Sequence, residues 1–199
     1  MPRFIFRLGV CVGFVAFLCA TASRPAESQQ GKSHDPMTYA ERVISIDKGV
    51  GDHLLSLEGL LGYPPFVDLA SEGGKNIDGC LQFLAGEGHS SHQRDIAILS
   101  MHELGVEGYV AFLRGMMSLF DRRLVSRDEI SLAVGPTYEF TTVLIENFGQ
   151  ESVRRVLEDI AARDVLPSTK SLIKAILSGE AREQMREFLR DCCSGPGTK

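Results

Sequence analysis

GVEGYVAFLRGMMSLF, residues 105–120, sets Tyr109, Phe112, Leu113, Met116, Met117 and Phe120 at i, i+3, i+4, i+7, i+8 and i+11. Positions three and four apart stack on one face of an α-helix, whereas a strand would alternate every second residue. One stripe of six large apolar side chains needs a cover. The segment therefore predicts a helix packed among others, with ordinary core packing rather than a cofactor box or membrane face behind the stripe.

The same grammar extends in both directions. Towards the C-terminus, Ser126-Arg127-Asp128-Glu129 has the spacing of a capping box ahead of Ile130 and Leu132, and Gly135-Pro136 breaks that helix. Phe140, Val143, Leu144 and Phe148 carry the next stripe up to Gly149, and Val153, Val156, Leu157 and Ile160 another. Pro167 and Ser168 open a helix with Leu172, Ile173, Ile176 and Leu177, and Met185, Phe188, Leu189 and Cys192 follow Gly179. Towards the N-terminus, Ser90 or Ser91 caps a helix, and Ile77, Leu81 and Leu84 with Cys80 predict one over 75–85. Asp52 is expected to cap a leucine-rich helix ended by Gly62 and Pro64-Pro65, with a glycine-rich loop after it. Asp35-Pro36 reads as the start of a helix bearing Val43, Ile44 and Ile46, which Gly49 and Gly51 end.

No segment sustains period-two alternation, so the fold class is all-α. Helices separated by short breaks read as antiparallel hairpins. Starts near Ser90, Ser126 and Ser168 are spaced like HEAT repeats, but their sequences do not match. The expectation is a short HEAT-like α-solenoid or an irregular helical bundle.

The N-terminus has a different character. Arg3 and Arg7 precede an uncharged, mainly apolar run from Leu8 to Ser23, and Ala20-Thr21-Ala22 offers a small-x-small cleavage site. Residues 1–22 therefore read as a cleaved signal peptide, since the run is shorter than the roughly 20 apolar residues a bilayer span needs. Phe17 and Leu18 before Cys19 disfavour lipidation, and retention as an anchor is the alternative. Residues 23–36 read as a polar linker, 37–193 as one helical domain and 194–199 as a disordered tail. The expected location is outside the cytoplasm, periplasmic in a bacterium and otherwise secreted.

Removing Arg3 and Arg7 takes Lys and Arg from 21 to 19 against 26 Asp and Glu, so the formal net charge moves from -5 to -7. An acidic chain of this kind argues against nucleic-acid binding and against adsorption to an anionic membrane. Beyond the signal segment the cysteines are Cys80, Cys192 and Cys193. Adjacent cysteines are poorly placed to bond each other, so a disulfide would join Cys80 to Cys192 or Cys193, with three free thiols as the alternative.

Catalytic signatures are scarce. Gly31-Lys32-Ser33 resembles the end of a phosphate-binding loop, but Ala26 stands where its first glycine belongs. G-x-S-x-G, H-E-x-x-H and paired C-x-x-C motifs are absent. The best chemical cluster is His89, His92 and Asp95, with His102-Glu103 further on. His92 and Asp95 share a helical face, so imidazole and carboxylate could jointly hold a metal or polarise a water. Solvated polar residues opening a helix account for the same pattern. Asp52-His53 is a second candidate, better explained by an N-cap. Cys80 lacks a nearby base.

The functional expectation is an exported helical binding protein that recognises or masks a protein partner, without a cofactor. Bacterial immunity proteins against periplasmic toxins are the nearest comparison, an analogy of size, charge and location. A metal-assisted hydrolase using His89, His92 and Asp95, or a structural envelope component, are the alternatives.

Overall fold

The computed structural model describes residues 37–51, 57–135 and 138–193, with the side chains of 57–58, 138–140, 185 and 188–193 left undescribed. The expected signal peptide, linker and tail, the Asp52-His53 pair and the Cys192 and Cys193 thiols lie outside what is described. Among the described residues every regular element is an α-helix. In chain order they are α1 (Tyr39–Val50), α2 (Leu57–Leu61), α3 (Pro64–Ser71), α4 (Gly73–Ala85), α5 (Ser91–Leu99) and α6 (Val106–Asp121). Then follow α7 (Arg127–Val134), α8 (Tyr138–Glu146), α9 (Glu151–Ala161), α10 (Pro167–Ser178) and α11 (Glu180–Cys193). No described helix is long and apolar enough to cross a membrane.

The decisive stretch forms α6, which packs against α4, α7 and α9. Tyr109, Phe112, Leu113, Met116 and Met117 are buried, and Val110 and Leu119 join them. Three partners explain a buried surface broader than one stripe. On the α4 side the approach is close, because a Cβ on Gly115 would stand 2.3 Å from Leu81 Cδ1. Elsewhere α1 packs on α3, α4 and α5, α5 on α7, and α10 on α9 and α11.

Capping boxes explain three of the helix starts, those of α1, α5 and α7. Ser90 and Ser126 each accept a hydrogen bond from the third helical amide, while Gln93 and Glu129 reach back to the cap amide. The start of α1 differs from the sequence reading. Thr38 and Glu41 form its capping box, so the helix begins at Tyr39 instead of at the Asp35-Pro36 signal. Gly49 lies inside α1, and Gly51 alone ends it.

The leucine-rich helix α2 ends before Gly62 and Pro64-Pro65 as expected, but the proline pair has a second role. The two prolines occupy the first turn of α3, where a helix has no use for their missing amides, and so open a helix that buries Phe66, Leu69 and Ala70. The expected glycine-rich loop is instead α3 followed by the first turn of α4, which begins at Gly73.

After α6 the chain turns sharply. Leu124 N–H donates to Leu119 O and Arg123 N–H to Phe120 O, both at 2.9 Å, the paired bonds of a Schellman end. Arg123 takes the left-handed position with φ of 61°, the one non-glycine residue with positive φ among the described residues. A side chain there costs roughly 1–2 kcal/mol, partly offset in glycine by its greater freedom when unfolded. Arg123→Gly is expected to raise stability by about 0.5–1 kcal/mol in urea denaturation. A lowered midpoint would show that the Arg123 side chain holds the turn.

Candidate functional site

The N-terminus of α5 is a polar seam against α1. Gln93 takes part in the capping box through its amide oxygen, and its Nε2 donates to Asp47 Oδ2 at 2.8 Å. The other carboxylate oxygen of Asp47 pairs with His92 Nδ1. One carboxylate of α1 therefore orients two side chains of α5, and it fixes the His92 tautomer with Nδ1 as donor. His92 Nε2 is buried and has no hydrogen-bond partner among the described residues. A carboxylate–imidazole pair is the geometry of a general base, but here the nitrogen that would accept the proton is closed to solvent.

The other sequence candidates lie apart. His89 stacks on Phe83, with ring centroids 3.8 Å apart. His102 is buried, stacks on Phe66 at 5.8 Å and bonds Leu99 O through Nδ1 at 2.9 Å. Its Nε2 stands 3.6 Å from Glu103. Each imidazole thus has its own internal partner. Among the described residues no group of three or more His, Cys, Asp or Glu side chains is arranged to hold a metal ion.

Asp95 faces α7. Burial pushes its carboxyl above the ordinary range, and the charge of Glu129 adds to the shift, against His92 and Arg94. The ionised form therefore costs stability at neutral pH, and the cost is relieved as pH falls from the raised folded value to the ordinary one. Asp95→Asn is expected to raise the urea midpoint at pH 7, with the gain fading in acid. Equal midpoints at pH 7, or a gain that persists unchanged in acid, would contradict this.

Cys80 is fully buried. It is a free thiol donating to Ala97 O at 3.4 Å. Burial pushes it up to about 12, so it carries almost no nucleophilic thiolate at neutral pH.

Two arrangements were not legible as sites in the sequence. In the first, Arg94 of α5 donates from Nε to Glu129 at 2.5 Å, from Nη1 to Leu84 O at 2.8 Å and from Nη2 to Leu124 O at 2.8 Å. Glu129 also accepts from Ser126 N–H at 2.6 Å. Burial alone would push the Glu129 carboxyl up, but Arg94 and the Ser126 amide hold it below its ordinary value. These groups tie α4, α5, α7 and the turn after α6 together.

The second arrangement is a cleft of about 360 Å³ between α6 and α9. Met117 and Val156 are buried at its base. Arg163 spans it, donating to both Asp121 oxygens at 3.1 and 3.2 Å and to Asp159 O at 2.9 Å. Arg114 and Arg122 also line it, are exposed, and have no ion-pair partner among the described residues. Their placement could have been noticed, because Arg114, Ser118 and Arg122 follow one i+4 row of α6. The opposing Asp159 and Arg163 could not.

The chain matches no protein-family model, no curated protein and no solved structure.

Proposed function

We propose that the protein is an exported helical binding protein that recognises or masks a protein partner. Its helices would be arranged as antiparallel hairpins in a short HEAT-like solenoid or an irregular bundle. The α9, α10 and α11 run, in which α10 packs on both neighbours, supports hairpin stacking. The contacts of α6 with both α4 and α9 support the bundle. The observation that carries the functional reading is the α6–α9 cleft, where an acidic chain presents two exposed guanidiniums that have no ion-pair partner among the described residues, beside the buried apolar side chains of Met117 and Val156. Charged groups of this kind steer and select a protein partner. The histidines around α5, by contrast, are each engaged inside the fold.

Affinity capture tests the reading. The full chain, tagged at its C-terminus and expressed in its own cells, should retain one partner protein in a fixed ratio. That complex should reform from the purified components and weaken with salt. Recovery of no protein that reforms such a complex would sink the reading.

A further inference from the structure

We infer that the α6–α9 cleft is the docking site for an acidic, extended segment of the partner, with two carboxylates on Arg114 and Arg122 and an apolar side chain between them. This rests on the binding-protein reading above. The argument begins with spacing. Arg114 and Arg122, the C-cap residue of α6, are eight residues apart on one i+4 row, with Ser118 midway, so their Cα atoms are about 12 Å apart along the axis. In an extended peptide the first and fifth residues are about 13 Å apart and point to the same face, as does the third. The third side chain then lies over Met117 and Val156 at the base of the cleft.

Charge supports the same occupant. Arg163 is held by Asp121 and by the carbonyl of Asp159, so it forms a fixed wall and is not free to bind. Arg114 and Arg122 remain, and neither is engaged by a carboxylate among the described residues. Planar guanidiniums match carboxylates in a two-point fork. Asp121 and Asp159 at the same cleft disfavour a dense polyanion, which would meet both acids, and favour carboxylates set apart. The whole chain is acidic as well, so long-range attraction does not draw polyanions in general.

The probe is a capped pentapeptide with aspartate first and last and leucine third, titrated into the isotope-labelled full chain at low salt and followed by NMR. Amide shifts are expected in residues 114–122 and 156–163. Apparent affinity should fall roughly fivefold or more in R114Q/R122Q, and likewise when asparagine replaces both aspartates of the peptide. Both arginines are exposed, so circular dichroism of the double variant should match the parent. Shifts confined to other residues, or unchanged in R114Q/R122Q, overturn the assignment. Inorganic phosphate giving the same shifts at equal affinity overturns it too, in favour of a phosphate group.

Capture with the double variant separates this inference from the broader reading. If R114Q/R122Q retains the wild-type partner equally well, the cleft assignment fails and the binding reading stands. If neither chain retains a partner, the binding reading fails and the titration still decides whether the cleft takes carboxylates.

Discussion

Arg94→Ala should cost about 3–5 kcal/mol, a large share of the roughly 5–15 kcal/mol that holds a typical domain folded. The loss has identifiable parts. Glu129 would be left as a mostly buried carboxylate without its guanidinium, and the carbonyls of Leu84 and Leu124 would each lose a donor. Chemical denaturation of the single and double variants checks this. Arg94→Met with Glu129→Gln together should cost less than the sum of the two single changes, since the pair is removed as a unit. A cost below about 1 kcal/mol for Arg94→Ala would mean that water takes over these contacts.

The pH dependence of the same cluster has a definite sign. Glu129 is held below its ordinary value in the folded state. Its contribution is present above the ordinary carboxylate range and is lost as pH falls through the lowered folded value. The double variant should lack that part of the acid sensitivity. Asp95 works the other way, so the two carboxyls of this region oppose each other in acid.

Phe112→Ala is expected to cost about 3–5 kcal/mol, by lost transfer energy and by the cavity left in the middle of α6. Phe112 has no exposed surface and lies 6.4 Å from the Tyr109 ring, whose hydroxyl bonds Ala133 O in α7. Phe112→Leu keeps most of the volume and should cost no more than about 1.5 kcal/mol. Thermal and urea unfolding of both variants is the check. Equal costs would show that the surroundings of Phe112 collapse onto a small residue, so that its size is not what matters there.

What the sequence made legible follows from the range of each interaction. Ser126 is readable because a capping box closes within four residues, the start of α5 only to within Ser90 or Ser91, and the α6 and α9 stripes because periodicity is local. Pro64-Pro65 follows the end of α2 as its sequence suggests, but a proline pair also suits the first turn of a next helix, and only packing of Phe66 and Leu69 shows that α3 stands where a loop was expected. Asp35-Pro36 competed with Thr38, whose box with Glu41 is the stronger local signal. The polar cluster was beyond reach for a different reason. His92 finds Asp47 across 45 residues and Arg94 finds Glu129 across 35, so no local window holds both members of either pair. Asp95 looked available to a shared site with His92, but its strongest carboxylate neighbour is on α7.

The seam between α1 and α5 also bears on the order of assembly. Ribosomes deliver the chain from its N-terminus, so α1 exists well before the groups that fasten it. Val43, Ile46 and Val50 receive their first cover when α3 and α4 emerge, but the polar pins come later. His92 and Gln93 must arrive to meet Asp47, and Ser100 to meet the Tyr39 hydroxyl, across 61 residues. Long loops of this kind close slowly compared with the formation of the helices themselves. A nascent chain stopped before residue 90 would thus present α1 covered by α3 and α4 but unpinned, with the side that α5 later packs against still open to a chaperone.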